Sequence, residues 1–264
     1  MVRSLWTAAT GMNGQQSNID AISNNLSNVN TTGFKQQRVE FEDLIYQNEK
    51  LAGTPATEDT VTPVGIQQGH GVKVGATQRI MSQGSLQNTG VCTDVAIVGD
   101  GFFRVQKYDG SYAYTRDGSF KVDSSGQLVT SNGLRVMPEI ILPEGYDVQS
   151  LTVSQDGRVG VKINGGTEPV QVGQIELYRF PNEVGLKADG DNLYQVTNAS
   201  GGPIANRPGF DGMGKLEHKF LEMSNVSVVN EMVQMIVAQR AYEFNSKAIQ
   251  TTDSMLSTAV NLKR

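Results

Sequence analysis

Two heptad rows, one near each end of the chain, restrict its fold more than any other feature. Leu5, Met12, Ile19 and Leu26 recur every seven residues, with Ala8, Ile22 and Val29 in a companion row three positions on. Apolar residues at this double spacing lie along one narrow stripe of an α-helix, so the start of the chain is predicted to be a helix with a coiled-coil-like seam. Gln15 interrupts the companion row, and Asn13-Gly14 is a weak point in the pattern. The seam ends at Asn30, and Gly33 supplies a stop signal. Towards the other end Val228, Met235, Tyr242, Ile249 and Leu256 form a second row, with Ala241, Ala248, Met255 and Leu262 one position earlier and Ser227 as an N-cap. A helix of about 35 residues is three times the usual length of ~11. Two such stripes most simply pack on each other.

The first helix has an unusual surface. Residues 1–30 contain two charged side chains, Arg3 and Asp20. A solvated helical pair normally covers its outer face with Glu and Lys. Here Asn, Gln, Ser and Thr take those places, and they can hydrogen-bond to neighbours without the desolvation cost of a buried charge. One reading is a neutral surface helix. The sharper one is that the outer face is also buried, against other copies of the chain.

Between the helices the period changes to two. Tyr112 and Tyr114, Phe120 and Val122, Val159, Val161 and Ile163, Val170 and Val172, and Ile175 and Leu177 alternate with polar residues. Asp109-Gly110, Asp117-Gly118, Asn132-Gly133, Asp156-Gly157 and Asn164-Gly165 punctuate these runs as turns. No strand–helix alternation is present, which argues against a doubly wound nucleotide fold. The fold class is therefore α+β: long terminal helices pairing as a coiled coil around a central all-β domain of short strands. The expected division is a helical segment 1–45, an extended connector 46–64, a β-rich domain 65–222 and a C-terminal helical segment 223–264. The connector Tyr46–Pro63 is rich in Thr, Pro and Gly and poor in apolar residues. Phe34, Phe41, Leu44 and Ile45 are expected to anchor the chain at its start.

Catalytic, metal and cofactor chemistry find little support. The single Cys92 excludes an internal disulfide and CxxC chemistry, and His70 and His218 lack metal-ligand spacing. A net charge of −5 argues against nucleic acid, and no apolar run reaches the length of a membrane span. Gly209–Lys215 matches the G-x4-G-K skeleton of a phosphate loop, the basis of a nucleotide-binding alternative. Leu216 follows, not the Ser or Thr that would hold magnesium, and a turn ahead of a final strand is the better reading. Lys35 and Arg38, with Glu40, Glu42 and Asp43 beyond, are read as a mixed solvated or inter-subunit face.

Ser23-Asn-Asn-Leu-Ser-Asn-Val-Asn-Thr-Thr-Gly-Phe-Lys35 closely resembles the N-terminal signature of bacterial flagellar rod and hook proteins; Asn24, Asn25, Asn28, Asn30, Gly33 and Phe34 are its motif positions. Val98-Gly-Asp-Gly-Phe-Phe-Arg104 is similar to the family's central motif. Leu221-Glu-Met-Ser-Asn-Val226 and Glu231-Met-Val-Gln-Met-Ile236, followed by Gln239–Lys247, resemble its C-terminal motif. Length and the stretch 46–71 most resemble the distal-rod branch, with a proximal-rod or short hook-type subunit as the sibling alternative. Lys219 departs from the pattern, standing where a glycine is common.

The resemblance implies a non-enzymatic structural subunit without cofactors, polymerising with itself into a rigid helical tube. Such a tube transmits motor torque to the hook, lets export substrates pass, and crosses the periplasm. Its implied partners are proximal-rod proteins, the hook protein and the P and L bushing rings, without nucleic acid or membrane insertion. It further implies export through the flagellar secretion channel without a cleaved signal peptide; the start has no apolar signal-peptide core.

Overall fold

The computed structural model describes residues 2–53, 55–57, 60–61, 63–143, 145–146, 148–163 and 170–261. Leu262, the Asn164-Gly165 turn and residues 54, 58, 59 and 62 of the connector lie outside them. Two compact units are formed, one of Met1–Ser27, Gln37–Gln78 and Ser227–Arg264, the other of Asn28–Gln36 and Arg79–Val226.

In the first unit helices α1 (Val2–Ser27) and α2 (Val228–Asn261) pack along each other. They run antiparallel: Asn25 bonds to Glu231 near one end, and Gly11 faces Asn245 further along both. The stripe of α1 turned inward holds Ala8, Gly14, Ile22 and Asn25 buried, and Leu5, Met12, Ile19 and Leu26 half-buried. Helix α1 stops at Ser27, short of Asn30, because the Thr31 N–H turns back to the Asn28 carbonyl at 3.2 Å. Val29 therefore sits in the turn after the helix.

Helix α1 runs unbroken through Asn13-Gly14, and the glycine there has a packing use: a Cβ on Gly14 would lie 3.1 Å from the Phe41 ring, which would have to give by a few tenths of an ångström to admit it. Ile45, by contrast, anchors nothing and is among the most exposed apolar residues.

The stripe of α2 facing α1 differs from expectation. Met235, Ile249 and Leu256 are half-buried as one row, but Val228 and Tyr242 of the same row are more open. The companion row is Glu231, Ala238, Asn245 and Thr252, all buried or half-buried, while of the expected row Ala241 is half-buried and Ala248 and Met255 are exposed. Positions one residue earlier lie about 100° round the helix from the main row, whereas positions three later or four earlier lie only about 50° away. The true companion row is small or polar, so hydrophobicity does not reveal it.

The expected single extended connector is instead a paired arm. Gln37–Asp43 pairs with Val72–Arg79, Tyr46–Lys50 with Ile66–Gly69, and Pro55–Thr57 with Thr60–Val61, each nested within the last. The second pair is antiparallel, with Tyr46 opposite Gly69 and Gln47 opposite Gln68. Both members of that pair are exposed throughout, so backbone hydrogen bonds rather than a core hold them. Arg3 on α1 reaches this arm, donating to Gln68 at 2.8 Å and to Glu49 at 3.3 Å.

The second unit is built of short strands, with two single 3-10 turns as its only described helical pieces. Its largest sheet orders seven strands as Lys121–Val122, Leu128–Val129, Arg135–Met137, Phe103–Gln106, Tyr112–Thr115, Leu193–Gln195 and Lys187–Gly190. Successive side chains of a strand point to opposite faces. Phe103 accordingly enters the aliphatic core with Val105, Phe120, Val159 and Leu216. Its neighbour Phe102 enters a second, aromatic cluster with Tyr114, Tyr178, Phe180 and Tyr194. The Phe-Phe pair of the central motif thus serves two cores at once.

Near its C-terminal end this unit changes partners. Lys215–His218 pairs with Val95–Val98, and Phe220–Glu222 with Leu86–Asn88. Lys219 makes the switch with φ +68°, a left-handed conformation that costs a residue with a Cβ about 1 kcal/mol. It is held there by its N–H to the Asp94 carbonyl at 2.8 Å and its carbonyl to the Thr89 N–H at 2.9 Å. Replacing Lys219 by Gly is expected to raise stability by about 0.5–1 kcal/mol and the melting midpoint by ~1–4 °C in calorimetry. An unchanged or lower midpoint contradicts this.

Candidate assembly site

The residues that resemble family motifs gather at two polar knots, one in each unit. In the first unit Asn25, only 1% exposed, acts as a substitute strand partner for Gln37. Its Oδ1 accepts the Gln37 N–H at 2.9 Å and its Nδ2 donates to the Gln37 carbonyl at 2.8 Å. The same Nδ2 donates to Glu231 Oε2 at 3.1 Å. Glu231, also 1% exposed, lies in the first turn of α2, where the helix dipole favours a negative charge. One side chain therefore joins the end of α1, the start of the arm and the start of α2. Asn is suited to this because it presents a donor and an acceptor side by side without a charge.

The other knot belongs wholly to the β-rich unit, where residues 28–36 run as a strap. Gly33 has φ +67°, and a Cβ there would lie 2.7 Å from the Asp117 nitrogen. Its N–H donates to the Glu222 carbonyl at 2.8 Å. Gly33 is thus required by the strap's fit rather than as the stop of α1, which ends six residues earlier. Phe34 is buried beside it, with the Arg79 guanidinium 6.0 Å from its ring centroid. Asn28 accepts a hydrogen bond from Thr31 Oγ1 at 3.2 Å, while Asn24 and Asn30 are exposed.

Lys35 overturns the reading of a mixed solvated or inter-subunit face. It is fully buried, its Nζ donating to Glu222 Oε1 at 2.6 Å and to the Ser82 carbonyl at 2.8 Å. Burial and the nearby Arg116 guanidinium pull its ammonium below the ordinary lysine range, and the Glu222 carboxylate works against them. Glu222 Oε1 also accepts the Gly84 N–H at 3.0 Å. Asn225 completes the knot: its Oδ1 accepts the Gln36 N–H at 2.7 Å and its Nδ2 donates to the Ile80 carbonyl at 2.8 Å. Periodicity gives no hint of this pair. The available signal was that two opposite charges, Lys35 and Glu222, each stand inside a terminal motif.

The sites of alternative chemistry are committed elsewhere. In Gly209–Lys215 the Gly209 N–H donates to the Gly214 carbonyl at 2.8 Å, Met213 N–H to Phe210 at 2.9 Å and Gly214 N–H to Asp100 at 2.7 Å. The amides a phosphate would need are already used, and a strand rather than a helix follows. His218 Nε2 meets the Cys92 carbonyl, not its thiol, at 2.8 Å. Among the described residues no group of three or more His, Cys, Asp or Glu could hold a metal, and no helix is long and apolar enough to cross a membrane.

Three family models match along the chain: "Flagella basal body rod protein" at residues 5–35, "Flagellar hook protein FlgE/F/G D1 domain" at 96–161, and "Flagellar basal body rod FlgEFG protein C-terminal" at 217–262. The chain is 61% identical over 264 residues to the flagellar basal-body rod protein FlgG of Borreliella burgdorferi, covering all of both chains. The chain belongs to the FlgG family of flagellar basal-body rod proteins. Identity to the Bacillus subtilis FlgG is 42% over 270 residues, again with both chains fully covered. A hook-basal body complex protein of the same organism, FlhP, matches at 32% over 97% of each chain. In this FlgG-family chain both polar knots draw on the two terminal matches: Asn25 and Lys35 lie in the first, Glu222 and Glu231 in the last.

Replacing Asn25 by Ala removes both side-chain bonds to the Gln37 backbone and the one donated to Glu231. The expected loss is about 2–3 kcal/mol in chemical denaturation followed by helical circular dichroism. A loss below about 0.5 kcal/mol contradicts the knot.

Proposed function

We propose that the chain is the distal-rod subunit of the flagellar basal body, polymerising through its terminal helices into a stiff hollow shaft. One observation carries this reading. On α2, Val229, Val233, Ile236, Val237 and Phe244 are each more than half exposed, and they lie on the side of the helix turned away from the stripe that faces α1, about 100–180° round from it. Covering five such side chains is worth on the order of 5 kcal/mol, against ~0–1 for the exposed Arg240–Glu243 pair on the same helix. The outer face of α1, with Asn13, Gln16, Ser23 and Asn24 exposed, carries one charge, Asp20, which accepts a hydrogen bond from Gln16 at 3.1 Å, so little charge is desolvated when copies stack.

Leu5, Met12, Ile19, Ile22 and Leu26, with Val228, Met235, Tyr242, Ile249 and Leu256, form the helix seam in this reading. The outward face of α2 adds the contact between copies. Head-to-tail contacts that do not close make a shaft rather than a ring. The shaft spans the periplasm inside the P and L rings, between proximal-rod proteins and the hook protein. It transmits torque and leaves a channel for export substrates, and its own subunits arrive unfolded by that route. The paired arm of residues 37–78 lies across neighbouring subunits and stiffens the wall.

Three variants separate the parts. Val233→Asp with Ile236→Asp should abolish polymers in electron microscopy while leaving the circular dichroism of the free chain unchanged. Met12→Asp should abolish polymers and also reduce the helical signal, with the β-unit still folded. Normal polymers from the first variant contradict the outward interface. Deleting residues 46–69 should give polymers that are curved or flexible, and equally straight ones would sink the role given to the arm.

A further inference from the structure

The chain passes between its two units at Ser27–Asn28, Gln36–Gln37, Gln78–Arg79 and Val226–Ser227. A lone backbone turns about φ and ψ at each residue, so a single passage is soft in torsion. A subunit that transmits torque needs these passages tied where they begin. Within the β-unit the segments next to three of them are residues 33–36, 80–84 and 222–225, and one side chain touches both of the others.

We propose that Glu222 is the positioning residue of the torque path, fixing these segments to one another on the β-unit. This rests on the rod-subunit reading above. Its carbonyl accepts the Gly33 N–H at 2.8 Å, and its Oε1 accepts both Lys35 Nζ at 2.6 Å and the Gly84 N–H at 3.0 Å. Its Oε2 faces Arg116 Nη1 at 3.8 Å, and Arg116 Nη2 is tied in turn to the Gly99 carbonyl at 2.8 Å. Asn225 repeats the arrangement one turn of chain later, between Gln36 and Ile80. Glu222 is 1% exposed and Lys35 0%. A buried ion pair often adds no more stability than apolar residues of the same size. What apolar residues cannot supply is direction: packed methyl groups can slide, whereas one oxygen accepting two bonds fixes the register of two segments.

The test uses the full chain. Glu222→Leu, which removes the side-chain acceptor at similar size, should speed amide exchange at Gly84 about tenfold, the equivalent of one lost hydrogen bond, with exchange in strands Phe103–Gln106 and Tyr112–Thr115 unchanged. Lys35→Met should loosen the strap and speed exchange at Gly33, whose backbone bond to Glu222 is no longer backed by the Lys35–Glu222 contact, and leave Gly84, whose acceptor remains. Polymers of Glu222→Leu should form but bend more, with a persistence length at least halved in electron micrographs. Unchanged exchange at both glycines, an equal rise in the core strands, or polymers of parental stiffness overturns the proposal. If the unsubstituted chain forms no polymer, the rod reading fails, and the exchange rates still decide whether Glu222 holds the segments.

Discussion

A 34-residue helix with apolar side chains on two opposed faces cannot be satisfied by one partner helix. In this chain α1 covers the face of Met235, Ala238 and Ile249 and leaves that of Val233, Ile236 and Phe244 in water. Apolar surface left in water is unfavourable in proportion to its area, so the free chain carries a standing drive towards association. The rest of the molecule accords with that constraint. Helix α1 shows amides and hydroxyls outward, which neighbours can meet with hydrogen bonds. The β-unit places its own apolar residues in two internal clusters and forms without help from the outward face of α2.

The polar knots work by a different principle. Asn25, Glu231, Lys35 and Glu222 are almost fully buried, and burying polar groups is costly unless each is bonded. Their value lies in orientation, since a hydrogen bond weakens steeply when its angle or length changes. Gly33 allows the strap its close fit by omitting a side chain, and Lys219 achieves a similar backbone turn against its own preference. Both follow from the need to bring the chain's early and late segments together at fixed positions.

Much of this was legible in the residues, and the exceptions share a cause. The inward stripe of α1 could be read because Leu5, Met12, Ile19 and Ile22 are apolar at helical spacing. The β-unit could be read from its alternation and Gly turns. The companion row of α2 could not, because Glu231, Ala238, Asn245 and Thr252 are polar or small and signal no seam. The arm was read as a single connector because its strands Tyr46–Lys50 and Ile66–Gly69 are exposed throughout, and pairing without a core leaves no hydrophobic period. Lys35 was read as part of a mixed solvated or inter-subunit face because its partner, Glu222, is 187 residues away. Local pattern reports what a residue prefers; it does not report which distant residue meets it.

The central claim is that the outward face of α2 is covered when copies associate. Hydroxyl-radical footprinting of Ile236 and Phe244, both on that exposed surface, reads it directly in free chain and polymer. The account predicts that both side chains are labelled readily in the free chain and become protected about tenfold on polymerisation, as full burial of an apolar side chain requires. Equal labelling in the two states would contradict it.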